Sequence, residues 1–400
     1  MQNTVRHKKI IEKLETINTY LSSKKLSGDN NISLTSGITG VCLYFYEYNA
    51  YVKSLSSKKR FTQALSRSYK IVQLSDVLET SFSAGISGWG WLIKHTEKKG
   101  NINDNLDNEI DAVLDEQLDV FLSTNNYDFL HGAIGIGVYS LKREQPARIK
   151  KIVQALYDNC IDENDEVKWK RFDQFNYRAD LYDFGFAHGV AGILAFLLKC
   201  HEKGICCNLI EGLLKKGFNF YINNIQTEDY DAGIFPNKVL TTDYKKSGAA
   251  PAITMQGWCY GDLATCLVLL KIARLFNNKA DEKTIMDLLY RIAKRRSFDK
   301  NRVIDAGFCH GASGIAYLYL KICCLIKDNM MEKELKYWIN LLILPHAVKG
   351  NCFEFYLGPK YGLGEVTGLL NGTAGVGLVL LAYLSRDNQF NPDWGECLML

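Results

Sequence analysis

The clearest chemical signal in this 400-residue chain is the adjacent pair Cys309-His310 in "GFCHGASG", together with Cys259 in "GWCYGD". Two thiolates and one imidazole suit a tetrahedral zinc ion with one position left open, and an open position implies catalysis rather than structure. Soft donors favour zinc over magnesium or calcium, and redox-inert zinc suits polar chemistry better than iron. Two buried cysteines beside a hydrogen-bonded histidine would leave the same residues. The choice rests on what positions them.

A repeat supplies the positioning. A small turn, G-x-x-G, opens an apolar run at Gly37, Gly85, Gly132, Gly189, Gly261, Gly311 and Gly372, at intervals of 47 to 72 residues, with Ala264 replacing the second glycine once. One such turn means nothing, but seven define an architecture. Ahead of the turns lie amphipathic segments. In "PARIKKIVQALY", Ile149, Ile152, Val153, Leu156 and Tyr157 fall on one helical face, and Ile285, Leu288, Leu289 and Ile292 do the same in "DEKTIMDLLYRIAKRR". Each repeat therefore reads as an outer amphipathic helix followed by an inner helix apolar almost all round. The expectation is an all-α protein: an α/α-toroid of seven outer and seven inner helices, with its turns gathered at one mouth. Residues 1–400 read as one domain, with a loop or hairpin insertion near 226–256, in the longest interval.

Offsets from the first glycine then compare the turns. Immediately before it stand Ser36, Ala84, His131, His188, Tyr260, His310 and Asn371, so three of the seven histidines share one repeat position. Two residues before it stand Cys259 and Cys309 in consecutive repeats. That register favours a metal site over chance. His188, with no adjacent cysteine, is the candidate acid/base. Asp128 is the only carboxylate at its offset; it suits orienting His188, acting itself, or plain N-capping. Tyr260 suits a hydrogen bond to a developing oxyanion, and a core aromatic would look the same. His131 fits a supporting or a purely structural role.

Nearly half the residues are apolar, which excludes disorder. A net charge of +4 does not point to nucleic acid or a membrane surface as the main partner. The basic N-terminus lacks the apolar core of a signal peptide, and no stretch reaches the roughly 18 apolar residues of a span. A soluble cytoplasmic protein is expected, reaching a membrane only through partners. Its twelve cysteines, including the pairs Cys206-Cys207 and Cys323-Cys324, read mostly as small buried hydrophobes.

"GWCYGD", "GFCHGASG" and "FAHGVAGIL" on a sevenfold repeat resemble the lanthionine synthetase C-like family, the cyclases of lantibiotic biosynthesis, over essentially the whole chain. The resemblance implies an α/α-toroid with one zinc ion held by Cys259, Cys309 and His310. It implies catalytic roles for His188 and Asp128, with Tyr260 nearby. It further implies addition of peptide cysteine thiols to dehydroalanine or dehydrobutyrine, on a dehydrated precursor peptide, beside a dehydratase and a transporter. Two departures stand out. Met255 occupies the place where the family often has an arginine, for which Arg178, Lys245 or Lys246 are candidate substitutes. Asp262-Leu263-Ala264 replaces a proline-glycine ending, which reads as tolerable packing. Two alternatives keep the same metal site: addition of glutathione to dehydro residues, or a non-catalytic zinc-containing peptide-binding scaffold. A prenyltransferase-like toroid fits less well, because no aspartate ligand or basic diphosphate pocket stands at the matching turns.

Overall fold

The computed structural model describes residues 2–24, 31–75, 79–97, 104–172, 180–226, 233–245, 254–344, 352–386 and 392–400. Along the chain run α1 (Gln2–Ser23), α2 (Ile38–Val52), α3 (Leu55–Leu74), α4 (Ile86–Thr96), α5 (Asp104–Ser123), α6 (Ala133–Arg143) and α7 (Pro146–Asp158). Next come β1 (Ile161–Glu163), β2 (Glu166–Lys168), β3 (Leu181–Asp183), α8 (Val190–Glu202), α9 (Cys207–Ile222) and β4 (Lys238–Leu240). The remainder holds α10 (Asp262–Leu275), α11 (Lys279–Ala293), α12 (Phe298–Asn301), α13 (Ala312–Leu325), α14 (Asn329–Ile343), β5 (Glu354–Tyr356), β6 (Leu363–Glu365) and α15 (Thr373–Ser385). Among the described residues no helix is long and apolar enough to cross a membrane.

Seven helices, α2, α4, α6, α8, α10, α13 and α15, begin immediately after the first glycine of a repeat turn. The reason is a closed backbone loop. The N–H of Ile38, Ile86, Ala133, Asp262, Ala312 and Thr373 donates to the carbonyl seven residues earlier, at 2.8 to 3.1 Å. This satisfies one of the donors that every helix start exposes. It also lays that carbonyl across the glycine: a Cβ on Gly85 would sit 2.1 Å from the Glu79 oxygen. The second glycine answers a similar demand, since a Cβ on Gly314 would sit 1.8 Å from the Phe308 oxygen.

The chain forms two compact units. The first comprises Met1–Asn105, Val303–Leu398 and Leu400. In it α4, α2, α15 and α13 are successive neighbours, with α3 on α2, α14 on α13 and α1 against α15 and α14. Every residue of α15 is buried, as its unbroken apolar sequence requires. The second comprises Leu106–Arg302 and Met399. In it α6, α8 and α10 are successive neighbours, covered by α7, α9 and α11 in turn. The outer helices bury one stripe each. Ile149, Ile152, Val153 and Leu156 of α7 are buried, as are Ile285, Leu288, Leu289 and Ile292 of α11. Tyr157, at the edge of the α7 stripe, stays 48% exposed. Three antiparallel ribbons, β1–β2, β3–β4 and β5–β6, decorate the connections.

The described part of residues 226–256 includes β4, which pairs with β3 in the register Leu181↔Leu240, Tyr182↔Val239 and Asp183↔Lys238. Asp262, the first residue of α10, anchors this segment. Its carboxylate accepts from the N–H of Ile234 (2.9 Å) and Phe235 (3.1 Å) and from the Thr254 hydroxyl (3.0 Å). It also forms an ion pair with Arg295 at 2.8 Å, both side chains almost fully buried. The sequence expectation of mere packing at this turn is too weak. Removing one member of a buried pair strands the other's charge, so Asp262→Ala is expected to cost about 3–5 kcal/mol in denaturant unfolding.

Candidate active site

In the second unit the turns before α8 and α10 are tied through a single atom. The Cys259 carbonyl accepts from the N–H groups of Phe186 (2.8 Å) and Ala187 (3.1 Å), the residues leading into His188. The first unit repeats the device twice. The Ser83 carbonyl accepts from Leu34 (3.0 Å) and Thr35 (3.2 Å), and the Leu370 carbonyl from Phe308 (2.6 Å) and Cys309 (2.9 Å). Donors and acceptors fall at the same offsets from the first glycine each time. The backbone thus fixes the residues that the repeat register singles out, whatever their side chains.

His188 and Asp128 are brought together. Asp128 Oδ2 lies 2.6 Å from His188 Nδ1. A carboxylate only accepts, so Nδ1 carries the proton and Nε2 is the nitrogen left without it. The other oxygen, Oδ1, accepts from the N–H groups of Leu130 and His131, at 2.8 Å each. Of the three roles open for Asp128, two, capping the turn and orienting His188, are divided between its two oxygens. Burial alone would raise this carboxyl, but the bond and charge of His188 and the His131 N–H outweigh it and hold it below the usual carboxylate value.

His131 stacks parallel to His188, with ring centroids 6.1 Å apart and 7° between planes. Tyr260 lies on the imidazole too, at 5.8 Å between centroids. Its place depends on Gly185, where a Cβ would come within 2.6 Å of the Tyr260 ring and 2.8 Å of the Cys259 carbonyl. Burial, reinforced by the Asp183 charge and opposed by Arg171, raises the Tyr260 phenol well above its ordinary value. The group is neutral at physiological pH and available as a donor.

Three charged residues that the sequence reading did not single out complete the cluster. Asp183, at the end of β3, has a fully buried side chain. Its Oδ1 accepts from the Gly185 N–H at 2.8 Å, and its Oδ2 accepts from Arg171 Nη1 at 3.0 Å. Burial lifts this carboxyl, while the Gly185 N–H, Arg171 and Lys238 pull it back part of the way. Arg171 is held by its own backbone, its N–H donating to the Leu181 carbonyl at 2.9 Å. Lys238 arrives on β4 through the strand register, with Nζ 3.9 Å from Asp183 and 4.9 Å from the Tyr260 ring centroid. Asp128, Arg171, Asp183 and His188 line one small cavity.

Met255 contributes its carbonyl to the N–H of Asp262 and brings no charge. Of the candidate substitutes for an arginine there, Lys245 is engaged with Glu166 at 2.7 Å; Arg178 and Lys246 lie outside the described residues. Among the described residues, the cations that reach Tyr260 are Arg171 and Lys238.

Cys259 is buried at the turn before α10, and Cys309 and His310 are half-buried at the turn before α13. Each offers one ligand atom, thiol or imidazole. As a donor set these fit zinc: three soft or borderline ligands, with no carboxylate or carbonyl that would favour a hard cation. Among the other cysteines, Cys206 takes a left-handed conformation as the N-cap of α9, and Cys324 is exposed on α13.

Residues 28–399 match the family model of lanthionine synthetase C-like proteins. The nisin biosynthesis protein NisC of Lactococcus lactis subsp. lactis is 23% identical over 390 residues, spanning 92% of this chain and 89% of that protein. The solved structure of nisin cyclase superposes with a TM-score of 0.75 at 20% identity, covering 100% of this chain and 98% of its own. That likeness shows the fold class, the α/α-toroid expected from the repeat. With the family model matching nearly its entire length, the chain belongs to the lanthionine synthetase C-like family.

Proposed function

We propose that this protein is a zinc-dependent lanthipeptide cyclase. It closes thioether rings by adding cysteine thiols of a dehydrated precursor peptide to dehydroalanine or dehydrobutyrine in the same peptide. The observation that carries the reading is the 2.6 Å His188–Asp128 bond, which presents an oriented imidazole beside the turn bearing Cys259. Similarity to NisC, a nisin biosynthesis protein, supports the substrate class. A dehydratase is the partner such a substrate requires, and a transporter one that would export the product; the cyclase itself would work in the cytoplasm and meet a membrane only through them.

Cys259, Cys309 and His310 would hold the zinc, which when bound lowers the pKa of a substrate thiol so that its thiolate is available at neutral pH. The remaining steps belong to the chain. His188 Nε2 accepts the thiol proton, with Asp128 stabilising the imidazolium through Nδ1. The sulfur bonds to the β-carbon, and the π electrons move onto the carbonyl oxygen as an enolate. Tyr260 donates a hydrogen bond to that oxygen. His188, or another acid on the opposite face, gives a proton to the α-carbon, which completes an addition with no net redox change. Because nucleophile and electrophile share one chain, holding the peptide in place supplies much of the acceleration.

The test is direct. Purified protein should contain about one zinc per chain, and incubation with a dehydrated, cysteine-containing peptide should protect its thiols from alkylation without change of mass. A mass gain equal to glutathione, seen only when glutathione is added, would establish the glutathione-transfer alternative instead. Zinc-loaded protein that binds the peptide yet leaves its thiols alkylatable would leave only a scaffold.

A further inference from the structure

Tyr260 is surrounded by more machinery than an aromatic in a core needs. Arg171 Nη1 donates to its hydroxyl oxygen at 3.4 Å while also donating to Asp183 at 3.0 Å. Lys238 stands over the ring, and Gly185 leaves the ring its space. Two of these cations converge on a carboxylate with no exposed surface. A guanidinium has donors and no acceptors. Once Arg171 fills an acceptor site on the Tyr260 oxygen, the phenol hydrogen cannot point back at it and must be offered to another acceptor. A hydroxyl that accepts from a cation is polarised and donates more strongly.

We propose that Arg171 is a positioning residue for the ring-closing reaction: clamped by Asp183, it holds and polarises Tyr260 so that the phenol donates to the enolate oxygen of the substrate. Arg171 itself touches Tyr260 and not the reacting atoms. This rests on the cyclase reading, with Tyr260 as the oxyanion donor. It also assigns a task to β3 and β4, whose pairing brings Lys238 beside Asp183, and to the short extended segment that carries Arg171.

Two measurements on the full-length protein test it. The first is a double-mutant cycle of Arg171→Gln and Tyr260→Phe on the rate of ring closure. Arg171→Gln should lower kcat about 10- to 100-fold, less than the roughly 10²- to 10³-fold cost of removing an oxyanion donor outright because the Tyr260 hydroxyl is still present, and leave KM nearly unchanged. In the Tyr260→Phe background the same change should have almost no further effect. Effects that multiply, or an Arg171→Gln enzyme as fast as wild type, would overturn the assignment. If Arg171→Gln does not fold, Arg171→Lys keeps a charge for Asp183 on a shorter reach and enters the same cycle under the same criteria. The second measurement needs no turnover. With 13Cζ-labelled tyrosine, the resonance assigned by its loss in Tyr260→Phe should shift in the Arg171 variant; an unmoved resonance would refute the contact. A wild-type protein that closes no rings overturns the cyclase reading, whereas an active wild type with no Arg171–Tyr260 coupling overturns this proposal alone.

Discussion

Cys309→Ala should yield a folded protein carrying far less than one zinc per chain and closing no rings. Removing even a hydrogen-bond partner of a metal ligand typically weakens affinity about 10- to 100-fold; deleting one of the three proposed protein ligands should exceed that. The substitution is mild for the fold. Cys309 is held through its backbone, whose N–H donates to the Leu370 carbonyl at 2.9 Å, and alanine keeps that bond. Metal analysis after dialysis, with a thermal melt, separates loss of zinc from loss of structure. Cys324→Ser, on the exposed surface of α13, is the matched control and should retain both zinc and activity. Zinc retained in full by Cys309→Ala would remove this cysteine from the ligand set.

His188→Asn should leave the zinc in place and lower turnover by about 10²- to 10⁴-fold, the usual worth of a positioned general acid/base. Asparagine can still donate to Asp128 but has no group that titrates near neutrality. Asp128→Asn should also be slow, because an amide at 2.6 Å from Nδ1 no longer fixes the tautomer that leaves Nε2 as the base. Since Asp128 acts through His188, the double variant should be scarcely slower than the worse single one. Single-turnover rates with excess enzyme make the measurement. Independent, multiplying losses would mean that the carboxylate has a separate task in the chemistry.

The parts legible in the sequence share a physical origin. Each repeat turn closes a loop that lays a carbonyl across its glycine, so glycine recurs and can be seen. The same turns place His188, Tyr260, Cys259, Cys309 and His310 at fixed offsets, and the offsets, read together with the residue types, nominated them. Asp128 was legible in position, and orienting His188 and capping the turn were both among its expected roles, but no spacing reveals that its two oxygens divide those roles between them. Arg171 and Lys238 left no trace: they sit in connections outside the repeat register, and β3 and β4 are three residues each, too short for an alternation to show. The pairing of β3 with β4 joins residues 55 or more positions apart, which no local pattern encodes. Asp183 and Gly185 stand six and four residues before Gly189, inside the register, but nothing in the offset says that one clamps Arg171 and the other leaves space for Tyr260. Asp262 was underestimated for a similar reason. Its partners, Ile234, Phe235, Thr254 and Arg295, come from both sides in sequence and meet only in three dimensions.

The carbonyl that brackets two neighbouring N–H groups belongs to a serine at position 83, a cysteine at 259 and a leucine at 370. Its contribution to folding is therefore blind to the side chain. Construction and chemistry occupy different atoms of the same residue, so mutation can explore one without endangering the other. A toroid of this kind is in effect a rack of equivalent sockets, in which a thiol, imidazole or phenol can be gained, lost or moved to another turn while the rack stays standing. For protein engineering, Thr35, Ser83 and Leu370 are then the natural places to install a new ligand.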